Sequence, residues 1–512
     1  MDLPYVKEIF DPIYSFIKLT KEEINVIDNL IFQRLHNINQ LGTLHLVFPT
    51  ARNTRFSHSL GVLAVTQKII DNLKFLPRSG TKDIKKFNLE PNEQRLIRAA
   101  ALMHDIGHLP FSHCTENVIK EYILKKYSHL KIQGKFHEWL GGEIIKKTNI
   151  YNPIEIYKRD IIITDHRENI SQIINGSSKF TLFNQILNSE LDADRIDYLG
   201  RDSYSTGVSF GLIDMDQILR KMFVEQRRAT GTKGSDNIIV YSTHVINAID
   251  NYYFARMFMY NSVYFHKVSR YFDFLLKKSY EIIINSDNLN EIKSNLLLKP
   301  DIFLEPILED KELDEKEIQE FYVLWHQFDD HYVWNCMRDC WHQLKKKDNN
   351  DLSEELVLLK NYFDLLFQRK KSELVWEENR LKNIISNNNS DTKLDNLLER
   401  IFSQLEDWIK NELQKDYEFP LISLNHKVDA PLSNIEIDDP ENLDDYEGES
   451  ILFHDPMTDK FHYLYNVQSS INFQINKSEF KIFRVYSTKE GYRNELHEKI
   501  DKKFKELTDF YI

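Results

Sequence analysis

A run of apolar residues that ends in a histidine and an aspartate constrains this chain more than any other feature. Residues 93–105 are predicted to form a helix, and Ala99–Met103 makes it apolar enough to be buried. A glycine and a proline shortly afterwards predict its end just after His104 and Asp105. Neighbours on a regular helix diverge by about 100°, but at a helix end the two side chains can converge on one ion. Chance would explain such a pair taken alone, so the assignment depends on what accompanies it.

Two further segments supply groups that could complete a metal site. His58 stands at the start of an apolar helix, and Asp194 lies in the otherwise apolar helical segment Leu191–Tyr198. Burying an unpaired carboxylate is costly, so Asp194 needs a partner. The order His…His-Asp…Asp gives two imidazoles and two carboxylates. This mixed set of nitrogen and oxygen ligands suits Mn, Fe, Zn, Ni or Mg, and it contains no sulfur ligand that would favour one of them.

Composition and charge exclude several classes of protein. Hydrophobic residues make up 42% of the 512 and charged residues 28%, which is ordinary for a globular protein. We expect no membrane span and no signal peptide, because no apolar stretch is long enough and the N-terminus lacks the basic-then-apolar pattern. Three cysteines without zinc-site spacing indicate a reducing, cytoplasmic setting. The net charge of −13 argues against nucleic acid as a partner, although a local cluster of cations could still bind an anionic small molecule.

The pattern along the chain predicts a mainly α protein, with a helical core and a small C-terminal α+β lobe. Helical periodicity dominates the first 300 residues. We expect a catalytic core over 1–340, a charged helical extension over 341–420 and the α+β lobe over 421–512. No internal repeat is present.

The last part of the chain carries strand and turn signals. Ile451–Phe453 and Phe461–Tyr465 flank a turn-like segment and predict a hairpin, Ile482–Tyr486 predicts a further strand, and 490–510 predicts a closing helix. Residues 436–449 contain eight acids and are interpreted as a solvated loop, with a regulatory tail as the alternative. Residues 386–391 are interpreted as an exposed loop.

Six motifs in order give the chain a specific resemblance. It resembles the HD-domain phosphohydrolases and, among them, the deoxynucleoside triphosphate (dNTP) triphosphohydrolases, which include the mammalian SAM-and-HD-domain enzyme and bacterial dGTPase-like relatives. The resemblance covers roughly residues 8–275 and returns weakly near the C-terminus. The motifs are Asp11-Pro12-Ile13-Tyr14, Phe32–Gly42, Val47-Phe48-Pro49, Arg55–Val62 around His58, His104–His113 and Asp194–Asp202.

The resemblance implies a divalent metal ion held by His58, His104, Asp105 and Asp194, without distinguishing Mn, Mg, Fe, Zn or Ni. It also implies a catalytic group of His113, Glu116 and His137. His113 and Glu116 are three residues apart and so are neighbours on a helical turn. A carboxylate behind an imidazole orients it and favours its protonated form, which makes His113 a suitable general acid for a leaving oxygen.

The resemblance further implies contacts to a nucleotide substrate. Arg55, Arg195 and Arg256 fall where the family binds the triphosphate, and His108 is assigned to the same group of substrate contacts. Around the deoxyribose and base the matching residues are Gln40, Leu41, Tyr198, Asp202 and Tyr264. The chain departs from the mammalian pattern at three positions, since Arg195 replaces a lysine, Tyr260 a histidine and Phe265 a glutamine. The last two changes leave base preference open.

The leading interpretation is an enzyme that hydrolyses dNTPs to deoxynucleoside and tripolyphosphate and so controls or depletes dNTP pools, in metabolism or in antiviral defence. One alternative keeps the fold but changes the substrate to a monophosphate, a ribonucleotide or a cyclic nucleotide. A second is a nucleotide-sensing protein with little turnover, whose segments 341–420 and 436–449 serve partners. A bacterial alarmone hydrolase is disfavoured, because the Glu-Asp pair expected soon after His-Asp is missing. By resemblance, we expect a homo-oligomer, a dimer or tetramer, with an activating nucleotide at an interface.

Overall fold

Helices dominate the described part of the chain, and the fold is mainly α as the sequence predicted. The computed structural model divides into two units, the first comprising Met1–Gln368 and Asp438–Leu464 and the second Arg369–Ile437 and Tyr465–Ile512. None of the described helices is long and apolar enough to cross a membrane. The structure describes residues 3–77, 84–132, 134–151, 166–228, 235–286, 298–370, 372–379, 392–417, 421–428, 443, 450–467, 470 and 480–511.

The first unit contains the helices that carry the predicted motifs. A π-helical turn, Tyr260–Tyr264, directly follows the helix that ends at Met259. In chain order the helices are α1 (Lys21–Ile27), α2 (Leu30–Gln33), α3 (Arg55–Asn72), α4 (Pro91–Met103), α5 (His113–Lys126), α6 (Phe136–Lys147), α7 (His166–Ile174), α8 (Thr181–Asn188), α9 (Ala193–Thr206), α10 (Met215–Arg220), α11 (Ile246–Met259), α12 (Lys267–Asn285), α13 (Asp301–Leu308), α14 (Glu315–Gln327), α15 (Asp330–Leu344) and α16 (Glu354–Phe367).

Local sequence explains where the two central helices begin and end. Helix α3 starts after Thr54, whose hydroxyl accepts a hydrogen bond from the backbone N–H of Ser57. Helix α4 starts with Pro91 in its first turn and a capping box between Glu90 and Glu93. Its apolar run is fully buried, and the helix ends at Met103. The His-Asp pair therefore lies at the inner end of a buried core helix, as predicted, although the helix ends before the pair rather than just after it.

Close packing between α3 and α9 depends on a glycine. A Cβ atom at Gly61 would lie only 1.9 Å from Oδ1 of Asp197, so no larger residue fits without displacing this buried carboxylate. The two helices are in contact along this line, and α3 also packs against α4. Three helices that are distant in sequence thus meet with their motif residues at one place.

Two small sheets complete the first unit. Strands β1 (Tyr5–Asp11) and β2 (Ser15–Thr20) form an antiparallel hairpin. The second sheet has the order β3-β4-β7-β8, in which β4 pairs parallel with β7 and the other pairs are antiparallel. Its strands are β3 (Met222–Arg228), β4 (Ser235–Ser242), β7 (Leu452–Asp455) and β8 (Lys460–Tyr463).

The second unit has a three-stranded antiparallel sheet of order β5-β9-β6. Helices α17 and α18 pack against each other, and together with the sheet they enclose an aromatic core. Its buried residues include Trp376, Phe402, Phe483 and Phe504. The elements are β5 (Glu373–Asn379), α17 (Thr392–Asn411), β6 (Leu421–Val428), β9 (Phe480–Ser487) and α18 (Arg493–Tyr511).

The C-terminal hairpin, strand and closing helix are confirmed as elements, but the hairpin does not belong to the second unit. Strand β7 pairs with β4 at Tyr241 and Ser242, so residues 438–464 are part of the first unit. The division after Gln368 also differs from the boundaries expected at 340 and 420. That the segments 1–340, 341–420 and 421–512 differ in function stays a prediction. Residues 386–391, and 436–449 except Leu443, lie outside the described residues.

Candidate active site

Four residues from three helices meet in one cluster, here called the metal cluster: His58, His104, Asp105 and Asp194. The Nε2 atom of His58 lies 2.9 Å from Oδ1 of Asp194 and 3.8 Å from Oδ2 of Asp105. The Nε2 atom of His104 lies 3.3 Å from Oδ1 of Asp105 and 4.0 Å from Oδ1 of Asp194. The structure thus brings together all four residues that the sequence predicted as ligands.

The two imidazoles of the metal cluster are each held in place by a contact at Nδ1, on the side of the ring away from the carboxylates of the cluster. Nδ1 of His104 lies 2.9 Å from the carbonyl oxygen of Ala101, which can only accept, so Nδ1 carries the proton. Nδ1 of His58 lies 2.7 Å from Oδ2 of Asp197. Both Nε2 atoms are buried and have no hydrogen-bond partner in the part of the chain that the structure describes. Buried ring nitrogens that face two carboxylates and lack a partner fit a divalent cation.

Electrostatics at the cluster favour a positive charge. Burial lowers the pKa of His58, but the nearby carboxylates of Asp194 and Asp197 outweigh burial and raise the pKa to about 10. Burial raises the pKa of Asp105, but Arg55 and the neighbouring histidines hold it well below its usual value. The site therefore keeps its carboxylates ionised and stabilises a cation among them.

A second group, here called the acid–base group, lies beside the metal cluster. Oε2 of Glu116 accepts a hydrogen bond from Nδ1 of His113 at 2.9 Å. Its Oε1 accepts from Nδ1 of His137 at 2.8 Å and from the His137 backbone N–H at 3.0 Å. Burial raises the pKa of Glu116, but these histidine contacts outweigh burial and lower it. The carboxylate is thus ionised, and the Nε2 atoms of both rings are left for other partners.

His113 itself is open to the site, with 65% of its side chain exposed. The sequence predicted that Glu116 favours the protonated form of His113; Glu116 does act in that direction, but the net shift of the pKa is the opposite. The enclosing walls of the site, together with His137 and Arg55, outweigh that contribution and lower the pKa. His113 therefore releases its proton more readily than an ordinary histidine does.

His108 links the two groups. Its Nε2 lies 3.2 Å from Oδ1 of Asp105, and its ring stacks on that of His137 with centroids 3.8 Å apart. The close approach requires Gly107, because a Cβ at that position would lie 2.2 Å from the carbonyl oxygen of His137 and 2.4 Å from the backbone nitrogen of Gly141. Burial, Arg55 and His137 lower the pKa of His108, so this ring is neutral.

The two groups open into one cavity of about 500 Å³, enough for a nucleotide. Of the predicted substrate contacts, six line it: Gln40, Arg55, His108, Arg195, Tyr198 and Arg256. Leu41, Asp202 and Tyr264 are not among the lining residues. The carboxylate of Asp202 instead accepts hydrogen bonds from Asn53 at 2.8 Å and from the Tyr264 hydroxyl at 2.9 Å.

The cations of the cavity are fixed in different ways. Arg55 donates from Nε to the hydroxyl of Ser112 at 2.8 Å and from Nη1 to Asp105 at 2.7 Å. Arg195 donates to Oδ2 of Asp192 at 2.5 Å. Arg256 lies over the ring of Tyr260 at 5.6 Å. Arg55 and Arg195 are thus held in place by carboxylates. These ion pairs fix the orientation of the two guanidinium groups but partly neutralise the positive charge that they offer to an anionic ligand.

Sequence reasoning missed two kinds of residue in this site. Asp197 lies one helical turn after Asp194 on α9, and that spacing was a usable signal for a residue that orients His58. Lys135 lines the cavity just before α6, and only its position two residues before His137 could have indicated it. The cavity is also lined by the amide side chains of Asn175, Asn184 and Asn188, which carry no motif.

Comparison with protein-family models matches residues 55–202 to the HD domain and residues 213–320 to the HD associated region. The metal cluster and the acid–base group both lie within the first of these ranges. The second range contains Arg256 and the helices that follow α9.

Curated relatives match the same part of the chain. An uncharacterized protein of Methanocaldococcus jannaschii is 34% identical over 285 residues, which are 56% of this chain and 51% of that protein. An uncharacterized Bacillus subtilis protein is 32% identical over 52% of this chain and 54% of its own length. The protein of Dictyostelium discoideum named deoxynucleoside triphosphate triphosphohydrolase SAMHD1 homolog is 28% identical over 59% of this chain and 56% of its own. The chain spans about half the length of the curated relatives it matches.

Two solved structures share the fold over nearly the whole chain. A hypothetical protein from Aquifex aeolicus superposes with a TM-score of 0.59 at 24% identity, covering 97% of this chain and 99% of that one. A phosphohydrolase from Bacteroides thetaiotaomicron superposes with a TM-score of 0.58 at 21% identity, covering 94% and 99%.

Proposed function

Because the chain carries an HD domain and an HD-associated region, and so is an HD-domain protein of the phosphohydrolase family, we propose that it hydrolyses deoxynucleoside triphosphates. Water attacks the α-phosphorus, the bond to the 5′-oxygen breaks, and the products are a deoxynucleoside and tripolyphosphate. The observation that carries the proposal is one cavity that combines the metal cluster, the acid–base group and several cations.

His58, His104, Asp105 and Asp194 would hold the divalent metal ion. When bound, the ion polarises phosphoryl oxygens and favours ionisation of water. The chain's own contribution is to orient the four ligands: the carbonyl of Ala101 and the carboxylate of Asp197 fix the two rings. The structure favours no particular metal, since all four ligand atoms are nitrogen or oxygen.

His113 donates a proton to the leaving 5′-oxygen in this proposal. Its Nδ1 proton is held by Glu116, which keeps Nε2 as the atom that carries and releases the transferred proton. The exposed ring lets His113 reach a bound substrate, and the lowered pKa makes its protonated form a stronger acid while reducing the fraction that is protonated at neutral pH. His137 shares Glu116 and stacks on His108, so it holds this arrangement rather than supplying the proton.

The triphosphate binds to the cations that line the cavity. Arg55 is the one next to the metal cluster, and Arg195, Arg256 and Lys135 supply charge further out. Arginines in fixed orientations bind phosphate oxygens bidentately, and in a partly enclosed cavity they lower the barrier by neutralising developing charge. Tyr198 and Gln40 remain available for the sugar and base.

The name of the Dictyostelium relative supports this choice of substrate, although the relatives of higher identity described above are uncharacterized. A further part of the proposal is a homo-oligomer, dimer or tetramer, with an activating nucleotide at an interface. Light scattering with and without dNTPs tests that part. A monomer under both conditions would contradict it without affecting the proposed reaction.

The decisive experiment measures the products. Purified protein is incubated with each dNTP and each rNTP, singly and in mixtures, with Mn²⁺ or Mg²⁺, and the products are separated by ion-pair chromatography. His104→Ala serves as the inactive variant, and His331→Ala, which replaces an exposed histidine on α15, serves as its matched control. We expect deoxynucleoside and tripolyphosphate from the wild type and from His331→Ala only.

Other outcomes redirect the proposal. Turnover of rNTPs, monophosphates or cyclic nucleotides instead of dNTPs would keep the phosphohydrolase and replace the substrate. Binding of nucleotides without turnover, in protein shown to contain its metal, would favour the sensing role.

A further inference from the structure

The junction between α14 and α15 holds both ends of the turn formed by residues 108–112. Arg34 is fully buried and donates from Nη1 to the carbonyl of His108 at 2.7 Å and from Nε to the carbonyl of Phe328 at 2.6 Å. At the other end of the turn, Oδ1 of Asp330 accepts from the backbone N–H of Phe111 at 2.6 Å. The turn that leads from the metal cluster into α5 is therefore connected twice to a segment more than 200 residues later in the chain. One connection is direct, from Phe111 to Asp330, and the other runs through Arg34.

The same carboxylate also begins a chain of hydrogen bonds that reaches the metal cluster. Oδ2 of Asp330 accepts from the backbone N–H of Asn39 at 2.9 Å and from its side-chain amide at 2.8 Å. The carbonyl of Asn39 accepts from the hydroxyl of Ser112 at 3.0 Å. That hydroxyl accepts from Arg55 at 2.8 Å, and Arg55 donates to Asp105 at 2.7 Å.

The turn needs such support because its backbone is strained. Phe111 has φ of 59° and Ser112 has φ of 52°, in the left-handed region that L-residues rarely adopt. His113 follows immediately as the first residue of α5. The position of its ring therefore depends on whatever keeps these two residues in place.

Helix capping does not account for the carboxylate of Asp330. The N-cap of α15 is Asp329, whose side chain accepts from the backbone N–H of Tyr332 at 2.8 Å. Asp330 is 3% exposed, and in the described part of the chain its carboxylate accepts hydrogen bonds from Asn39 and Phe111 rather than from its own helix. Burying an unpaired carboxylate is costly, and here the donors from Asn39 and Phe111 offset that cost, so the carboxylate and these two residues hold each other in place.

We propose that Asp330 is a positioning residue for the proposed hydrolysis: it holds the strained turn that presents His113 and, through Asn39 and Ser112, orients Arg55. The inference rests on the proposed function. Asp330 lies beyond both matched family ranges, which end at residues 202 and 320. The segment that completes the active site is thus supplied from outside the HD domain and its associated region.

The test replaces Asp330 by asparagine, which keeps the shape but turns one acceptor oxygen into a donor that faces other donors. The control is Asp314→Ala, which removes the capping side chain of neighbouring α14 and touches neither turn nor cavity. For Asp330→Asn we expect kcat to fall by about ten- to a hundredfold, because small displacements of a catalytic group have effects of that size. KM should change much less than kcat, since Arg55 keeps its bond to Asp105 and the other cations assigned to the triphosphate, Arg195, Arg256 and Lys135, are untouched.

Hydrogen exchange measured by mass spectrometry provides a readout that is independent of activity. Exchange in peptides covering 106–114 should accelerate in Asp330→Asn and not in Asp314→Ala, which should lose thermal stability with unchanged kcat. Wild-type kcat in Asp330→Asn, unchanged exchange of the turn, or acceleration spread over the whole first unit would overturn the proposal. If the wild type hydrolyses no nucleotide, the proposed function fails, and the exchange comparison alone decides whether Asp330 holds the turn.

Discussion

The metal cluster and the acid–base group are built from the same residue types but use their atoms in opposite ways. In the metal cluster the histidines are held through Nδ1 by groups outside the cluster, and their Nε2 atoms face carboxylates without a hydrogen bond. In the acid–base group, the single carboxylate is consumed by hydrogen bonds from two imidazoles. The first arrangement leaves ligand atoms for a cation, and the second leaves ring nitrogens that can hold or release a proton.

This difference teaches that the residue count of a His/Asp/Glu cluster does not determine its chemistry. Both groups have ligand atoms close enough to hold a metal ion. What separates them is which atoms are already bonded, and this predicts different consequences when each group is disturbed.

The largest effect should come from the metal cluster. His104→Ala removes an imidazole ligand, and the loss of several kcal/mol of charge stabilisation corresponds to a fall in turnover of about a thousandfold or more. Bound metal, measured by plasma mass spectrometry, should fall with it, while His331→Ala should keep both. Loss of turnover with full metal content would show that the two groups are not distinguished in this way.

Disturbing the acid–base group should reduce turnover and spare the metal. His113→Gln removes the proposed proton donor, so kcat should fall by about a hundred- to ten-thousandfold. Metal content should remain that of the wild type, because His113 has no contact with the metal cluster in the described structure other than through His108. If His113→Gln also loses its metal, the acid–base group and the metal cluster are one site rather than two.

A smaller effect is expected for the residue behind His58. Asp197→Asn weakens the hydrogen bond to Nδ1 of His58 and the ion pair with Arg201, so metal affinity should fall about ten- to a hundredfold. Competition with a chelator measures the affinity, and Asp216→Asn, at an exposed position on α10, is the control. Unchanged affinity would mean that the orientation of His58 does not depend on this carboxylate.

The last effect concerns stability rather than metal binding or turnover, and it comes from a carboxyl group with no imidazole partner in the described structure. Burial raises the pKa of Glu190 from 4.5 to about 7, against the opposing effects of the Tyr253 hydroxyl and two arginines. Its charged form is disfavoured in the folded state, so this group lowers stability as pH rises from about 4.5 to 7. Glu190→Gln should therefore be more stable than the wild type at pH 8, by up to about 3 kcal/mol, and differ least at pH 5. Thermal unfolding at the two values measures this, and equal differences at both would contradict it.

The proximity of the residues in the metal cluster and in the acid–base group could be predicted because each residue belongs to a motif that carries the family resemblance; their roles as ligands and as acid–base residues stay predictions. The ends of α3, α4 and α9 carry the ligands, and caps and breakers in the sequence define those ends. Contacts around the sugar and base were harder to predict. Tyr260–Tyr264 forms a π-helical turn, so its side chains point in directions different from those predicted for an α-helix. Tyr260 lines the cavity, whereas Tyr264 binds Asp202.

Long-range pairings could not be predicted from local pattern. The hairpin at 452–463 was predicted, but its pairing with β4, more than 200 residues earlier, depends on packing that no short motif encodes. The contacts of Asp330 with Asn39 and Phe111 are of the same kind.

Gly61 and Gly107 limit how far this site can drift during evolution. A methyl group at Gly61 would displace the Asp197 carboxylate that orients His58, and one at Gly107 would meet the backbone of His137 and Gly141 at about 2 Å and push the turn after α4 away from α6. Sequence searches that demand only the ligands would accept chains that cannot close the site. A saturation library that keeps the ligands and varies their neighbours should recover glycine at both positions, and the same two glycines should accompany the ligands in any transplant to another scaffold.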